Sequence, residues 1–364
     1  MLDATWIENF RCFRQLSIKG WAPVNVIVGE NGAGKTTLLE AMFLAMSGSP
    51  QKGLLLRQFR GNDALFQGDP GAIVDAIYAE FFHRLDLGQS PEIKLRGKGQ
   101  ENRTLKIIRG RGNVRIPRDA ATTKDAEILS PIIFDWWTGK KRHTAGVKVT
   151  PKGFEFENTG EQLPSNWFFY AAQTPVPARE NADRFAAVRR AGGAEKFVST
   201  FKSLFDWIDD IFVDSSVGTP VLSAVDRYQR VPLPLTAVSG GINRMAAILL
   251  AIALRPKGIV LVDEIENGVF FTKHLPFARA LLRFSREYDC QLFLSTHSQE
   301  WLRAFAEAAE DRVADIALWR LSRGAKTPEM RRFTGHTFKL GIEQGAEVRR
   351  EKGDQEDVPS PSDM

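Results

Sequence analysis

Residues 24–46 constrain the fold more than any other stretch of the chain. Val24-Asn25-Val26-Ile27-Val28 is a short apolar run that reads as a buried strand. Leu38-Leu39-Glu40-Ala41-Met42 reads as an apolar-periodic helix. Between them, Gly29-Glu30-Asn31-Gly32-Ala33-Gly34-Lys35-Thr36-Thr37 fits G-x-x-x-x-G-K-[ST]. Glycines let successive backbone N–H groups curl around an anion, and the helix N-terminus adds the positive end of its dipole. In such a loop Lys35 reaches the β- and γ-phosphates of a nucleotide, and the Thr36 hydroxyl ligates Mg²⁺. A glycine turn that merely joins strand to helix needs none of this order. The succession predicts a nucleotide-phosphate site formed by Gly29, Asn31, Gly32, Ala33, Gly34, Lys35, Thr36 and Thr37.

A second stretch answers the first. Gly258-Ile259-Val260-Leu261-Val262-Asp263-Glu264 is a buried strand ending in two adjacent carboxylates. Open α/β sheets bind ligands at the C-terminal ends of their strands. Asp263 is placed to hold Mg²⁺, directly or through water, and Glu264 to polarise the water that attacks a γ-phosphate. Leu292-Phe293-Leu294-Ser295-Thr296-His297-Ser298 ends another strand, with His297 placed to sense the terminal phosphate. Ser239-Gly240-Gly241 opens the apolar helix Ile242 to Leu254 and offers further backbone N–H groups to phosphate. Strands at Ile259–Val262 and Gln291–Leu294 alternate with helices at His274–Tyr288 and Gln299–Glu310, and Ala314–Leu321 closes the sheet. The fold class is α/β, a doubly wound parallel sheet.

Between these stretches the signals are weaker. Ala4–Phe10 and Phe13–Ile18 alternate like a hairpin, whereas residues 72–83 fit helix or strand equally. From Glu92 to Phe156 short β-like runs at Ile93–Leu95, Thr104–Ile108, Val147–Val149 and Phe154–Phe156 predict a β-rich subdomain grafted onto the nucleotide-binding sheet. Residues 94–118 within it hold nine Lys or Arg (Lys94, Arg96, Lys98, Arg103, Lys106, Arg109, Arg111, Arg115 and Arg118) against the single acid Glu101. Lys140-Lys141-Arg142-His143 adds a second basic knot. A solvated sheet face and a surface that tracks a nucleic-acid backbone both fit such a run. Ala194–Phe212 carries an aromatic stripe at helical spacing, and Gly192-Gly193 interrupts any long coiled coil.

The domain boundaries read as 1–60, 61–170, 171–220, 221–350 and a disordered tail over 351–364. Cys12 and Cys290 form no metal-ligand spacing and read as reduced, buried thiols of a cytoplasmic protein. No signal-peptide pattern opens the chain, and Met245–Leu254 is too short to span a bilayer. No membrane partner is expected.

The motifs in this order resemble the ABC-class ATPases of the SMC and double-strand-break-repair type. The resemblance is closest to the single-chain, AAA-annotated ATPases of the OLD group. It is carried by Ile7-Glu8-Asn9-Phe10-Arg11, the Walker A loop at 29–36 and the signature-like Ser239-Gly240-Gly241-Ile242-Asn243-Arg244. The Walker B run Leu261 to Gly268, and Ser295-Thr296-His297-Ser298 with Glu300, complete it. It implies an ABC-type P-loop fold in two lobes and a Mg²⁺-dependent ATP hydrolase. It also implies a head-to-tail homodimer, or a higher oligomer, that sandwiches ATP. Lys35, Thr36, Asp263, Glu264 and His297 would act from one subunit, with Ser239, Gly240 and Gly241 reaching across from the other. Glu266-Asn267-Gly268 would take the D-loop position, and Gln173 the Mg²⁺-sensing Q-loop position. Two departures stand out. Ile242 replaces the acidic residue or glutamine after the signature glycines, and Phe270 stands where close relatives often carry a histidine.

Many OLD-like relatives carry a C-terminal TOPRIM nuclease, which is not expected here, so a nuclease would be a separate effector. The implied role is an ATP-dependent switch in anti-phage defence. A DNA-binding repair ATPase is the alternative, and a transporter subunit fits least, given the long spacing from Lys35 to Ser239.

Overall fold

The alternating N-terminus forms β1 (Leu2–Phe10) and β2 (Phe13–Lys19), an antiparallel hairpin with Phe10 opposite Phe13. The computed structural model describes residues 1–61, 70–99, 101–110, 114–115, 127–128, 132–150, 153–159, 166–173, 175–215, 218–324 and 327–349. The disorder expected over 351–364 lies outside them. Next comes β3 (Val24–Val28), buried at every position, then the glycine turn and α1 (Lys35–Ser47). The two short helices α2 (Gln51–Phe59) and α3 (Pro70–Tyr78) follow. The segment 72–83, open between helix and strand in the sequence, is the rest of α3 followed by tight 3₁₀ turns.

The strands β4 (Glu92–Gly97) and β5 (Arg103–Arg109), the ribbon β6 (Val114–Arg115) and β7 (Glu127–Ile128), and β8 (Ile132–Thr138), β9 (Lys141–Thr150) and β10 (Gly153–Thr159) come next. None of them extends the sheet that contains β3: β6 and β7 pair with each other, and the rest lie elsewhere. The rest continue the N-terminal hairpin into a seven-stranded sheet ordered β10-β9-β8-β5-β4-β1-β2. The expected graft onto the nucleotide-binding sheet is therefore corrected. The reason is that β1 has two free edges, and β4 takes the one β2 leaves, with Ile93 opposite Ile7.

After β11 (Trp167–Tyr170) come α4 (Ala178–Arg190), α5 (Ala194–Leu204), the meander β12 (Ile208–Asp214), β13 (Val221–Asp226) and β14 (Pro232–Pro234), and the one-turn α6 (Leu235–Val238). The helix expected over Ala194–Phe212 thus ends at Leu204. Phe197 and Phe201 stack in the core at 5.2 Å as a helical stripe should, but from Ile208 the chain pairs with β13. Apolar residues at 208, 211 and 213 suit a strand as well as a helix, and the β-branched Ile208, Ile211 and Val213 favour the strand.

The last third is α7 (Gly240–Ala253), β15 (Ile259–Val262), α8 (His274–Glu287), β16 (Gln291–Ser295), α9 (Gln299–Ala309), β17 (Ile316–Ser322), β18 (Glu329–Thr334) and α10 (Gly335–Glu343). The second sheet runs β11-β15-β16-β3-β17-β18, parallel except for β18. The sheet therefore ends on β18, not on β17 as the sequence reading had it. The reason lies in the composition of β18, where Arg331 and Arg332 break any apolar run.

Period-two alternation divides β3 and β15 between two cores. Val26, Val28, Val260 and Val262 pack with α7, α8 and α9, whereas Ile27, Ile259 and Leu261 pack with α1 and the antiparallel sheet. Buried Gln291 joins the sheets: its Oε1 accepts from Leu2 N–H at 2.6 Å, and its Nε2 donates to the carbonyls of Leu2 and Ala22. Among the described residues no helix is long and apolar enough to cross a membrane.

Candidate nucleotide site

Parallel pairing brings the motif ends together. Ile27 of β3 lies beside Ser295 of β16, Leu294 beside Val262 of β15, and Val262 beside Tyr170 of β11. Gly29, Asp263, the Ser295–His297 turn and Ala171–Gln173 therefore all leave the sheet at one edge, the C-terminal ends of its strands.

The loop after β3 is shaped by backbone that only glycine fits. Gly29 has φ 150°, and a Cβ there would lie 2.1 Å from the Leu321 carbonyl oxygen. Gly34 caps α1 at φ 107° and contributes no side chain to occupy the first-turn amides. Ala33 and Thr37 are buried, while Asn31 and Gly32 face solvent. The Lys35 ammonium folds back onto the loop, donating to Gly29 O at 2.7 Å and Glu30 O at 3.1 Å. Burial lowers its pKa from the usual lysine value, against the pull of Asp263, Glu264 and Glu266.

Across 227 positions of sequence, the Thr36 hydroxyl donates to Asp263 Oδ2 at 2.8 Å. The Ser295 hydroxyl donates to Asp263 Oδ1 at 2.5 Å and accepts from the Glu264 N–H at 2.9 Å. Ser295 thus orients the Asp263 carboxylate and holds the Glu264 backbone, a role unread in the sequence although the residue sits in the quoted Ser-Thr-His run. Hard oxygen donors at Thr36 and Asp263 suit Mg²⁺. Among the described residues no three His, Cys, Asp or Glu form a metal cage. The remaining ligands of an ion held there would be phosphate and water oxygens.

Glu264 stands at φ 49° with its side chain 38% exposed. His297 Nδ1 lies 3.3 Å from Glu266 Oε1 and 3.8 Å from Glu264 Oε1. Glu266 also accepts the N–H groups of His297 and Ser298, so the D-loop position fixes the histidine turn within the same chain.

The signature-like residues stand apart. The Ser239 hydroxyl accepts from the Gly241 N–H at 3.2 Å, capping its own helix. Gly240 and Gly241 line a cavity with Gln173, Asn267 and Gly268, whereas Gly29 and Asn31 line another with His297. Exposed Gln173 therefore comes beside Gly240, Gly241, Asn267 and Gly268. Arg244, one turn into α7, donates to the carbonyls of Ala171, Ala172 and Asp263, joining α7 to the segment after β11 and to the end of β15. Its role was unread because a buried arginine leaves no pattern in sequence.

A larger cavity of ≈ 1020 Å³ is lined by Arg11, Arg14, Gly32, Ala33, Arg84 and Arg323 among others. Arg11 is buried against Glu40 at 2.9 Å, and Cys12, expected to be buried, is exposed there. The turn between β1 and β2 carries it into the cavity mouth; Cys290 is buried as expected.

Much of the basic run is paired within the protein. Arg96 and Lys98 contact Asp3, Lys94 contacts Glu92 at 3.1 Å, Arg109 contacts Asp75 at 2.6 Å, and Arg103 donates to Met46 O. Arg111 and Arg118, and the side chain of Arg115, lie outside the described residues. In the second knot Arg142 pairs with Asp135 at 2.7 Å and His143 is buried.

The chain is similar to an ATP/GTP phosphatase of Helicobacter pylori, 21% identical over 86% of this chain and 89% of that protein. A Rad50 double-strand break repair ATPase of Methanopyrus kandleri is 32% identical over 136 residues, 36% of this chain and 14% of that protein. An Smc head domain with an extended coiled coil, bound to the C-terminal domain of ScpA derived from Pyrococcus furiosus, aligns with a TM-score of 0.48 at 10% identity, over 94% of this chain and 99% of that one. A family profile matches residues 24–303, from the start of β3 into the first half of α9. The chain belongs to the family described as AAA domain, putative AbiEii toxin, type IV toxin–antitoxin system.

Proposed function

We propose that this AAA-family ATP hydrolase works as an ATP-dependent dimer that switches a separate effector, in anti-phage defence and in the cytoplasm. The observation that carries the reading is the chain of hydrogen bonds Thr36–Asp263–Ser295, which joins three motif ends at one sheet edge. The Gly29–Thr37 loop binds the phosphates, with Lys35 turning from the loop carbonyls to the β- and γ-oxygens. Thr36 and Asp263 hold Mg²⁺, which when bound neutralises phosphate charge. Glu264 accepts a proton from the attacking water as its oxygen bonds to the γ-phosphorus and the bond to the β–γ bridging oxygen breaks. ADP and inorganic phosphate are the products. His297 orients the water or the γ-phosphate, and Gln173 follows occupancy from the next strand end. Ser239, Gly240 and Gly241 close over the nucleotide of the partner subunit.

The defence setting rests on the family description, which names a toxin–antitoxin system. The test is size. Wild type should become dimeric with ATP, and Lys35→Ala should stay monomeric because its phosphate contacts are gone. Equal behaviour of the two proteins, measured by light scattering, would remove the model of a shared site.

A second reading, a DNA-binding repair ATPase, draws on the similarity to Rad50. It requires Lys94 on β4, Lys98 just beyond it and the half-buried Lys106 on β5 to contact phosphates. Replacing Lys94, Lys98 and Lys106 by glutamate should then reduce the salt slope of duplex binding by about 2–3. Absence of wild-type binding at low salt would end this reading.

A further inference from the structure

We infer that Arg349 is a positioning residue for His297, delivered by the segment that follows α10. This inference rests on the ATP-hydrolysis reading above and adds a part of the site outside the motifs of the sequence. Past Glu343 the chain reverses at Gly345, where φ is 71°, with Gly345 N–H bonded to Ile342 O and Ala346 N–H to Gly341 O. The reversal seats Val348 in the core shared by α7, α8 and α9, its Cγ1 beside Gly341. Val348 is an anchor, and the residues either side of it turn outward.

Those residues form a rigid fork. Arg349 Nε and Nη2 meet the two carboxylate oxygens of Glu347 at 2.8 and 2.6 Å, and the Arg349 N–H also donates to Glu347. A bidentate pair of this kind fixes the guanidinium plane. The remaining Nη1 donates to the His297 carbonyl at 2.7 Å. Glu266 grips the N–H of the same residue at 3.0 Å. The peptide groups on both sides of the imidazole are therefore held, one by the D-loop position and one by the segment beyond α10. Glu347 and Arg349 also line the cavity of ≈ 430 Å³ that contains Gly29, Glu30, Asn31 and His297. The hydrogen bond to Glu347 raises the Arg349 pKa above its usual value, so the brace keeps its charge.

With three of its five side-chain N–H groups committed to Glu347 and to the His297 carbonyl, Arg349 acts through His297. Loss of the brace frees the histidine turn without touching Lys35 or Thr36, so turnover should fall and affinity should not. Arg349→Ala is expected to lower kcat about 10-fold or more with KM within about twofold of wild type. Arg349→Lys keeps one donor to the His297 carbonyl but loses the fork, and should recover part of that loss. In an Arg349→Ala, His297→Ala double variant the losses should not multiply, because one acts through the other. Independently of activity, amide hydrogen exchange over 295–299 should quicken in Arg349→Ala with the melting temperature nearly unchanged. Wild-type kcat and unchanged exchange in Arg349→Ala, or losses that multiply with His297→Ala, would overturn the inference. If wild type hydrolyses no ATP, the ATPase reading is what fails, and exchange alone then decides for or against the brace.

Discussion

Glu264→Gln is expected to trap an ATP-bound dimer and to cut hydrolysis by about 10²–10⁴-fold. The size of the effect follows from what the substitution leaves alone. Lys35, Thr36 and Asp263 keep their places, because none of their hydrogen bonds involves the Glu264 side chain. The Glu264 backbone sits in the left-handed region at φ 49°, held there by its N–H on Ser295 Oγ. Glutamine adopts that backbone at no greater steric cost than glutamate. A carboxamide can still hydrogen-bond a water, but it cannot take the proton. Binding and closure proceed, and the step that reopens the dimer does not. Measured turnover and mass with ATP should therefore move in opposite directions, turnover down and dimer fraction up. A monomeric Glu264→Gln that turns over like wild type would show that the carboxylate is not the base and that the two halves do not close around ATP.

The elements that could be read in the sequence are those whose side chains face one environment. β3 and β15 are buried on both faces, so they appear as continuous apolar runs, and their C-terminal residues mark the site. The glycine loop is legible because its backbone excludes other residues: a Cβ at Gly29 would collide with Leu321 O. The antiparallel sheet was legible as strands but not as a sheet, since nothing in Ile93 or Leu95 states that β1 is their neighbour. Its basic residues carry partners, Asp3 and Asp75, from elements far away in sequence. Ser295, Arg244 and Arg349 escaped for a related reason. Each acts on backbone or carboxylate atoms brought near only by the tertiary fold, and no spacing rule encodes that.

The two signature-like glycines should differ in their effect on stability, though not in their effect on the shared site, when each gains the same methyl group. A Cβ on Gly241 would lie 1.7 Å from the Gly268 carbonyl oxygen, which is backbone and cannot swing aside. Gly241→Ala must therefore push α7 away from the D-loop position, at a cost of about 1–3 kcal/mol or more. The strain falls on one rigid unit, because Asn267 Nδ2 donates to Ala172 O and Arg244 ties α7 to the same carbonyl. A shift there reaches Ala171 and Ala172 and, through the Asp263 carbonyl, the end of β15. Gly241→Ala should melt earlier and lose ATP-dependent dimerisation together with turnover. A Cβ on Gly240 meets nothing within 4 Å, and its backbone needs no glycine. Gly240→Ala should melt with wild type. If Gly240 faces the partner's phosphates, it should nevertheless weaken the ATP dimer, because a methyl group then stands between backbone N–H groups and the γ-phosphate. Thermal melts and sizing with ATP separate the two. Gly240→Ala dimerising as wild type would remove the signature loop from the shared site, whatever Gly241→Ala does to stability.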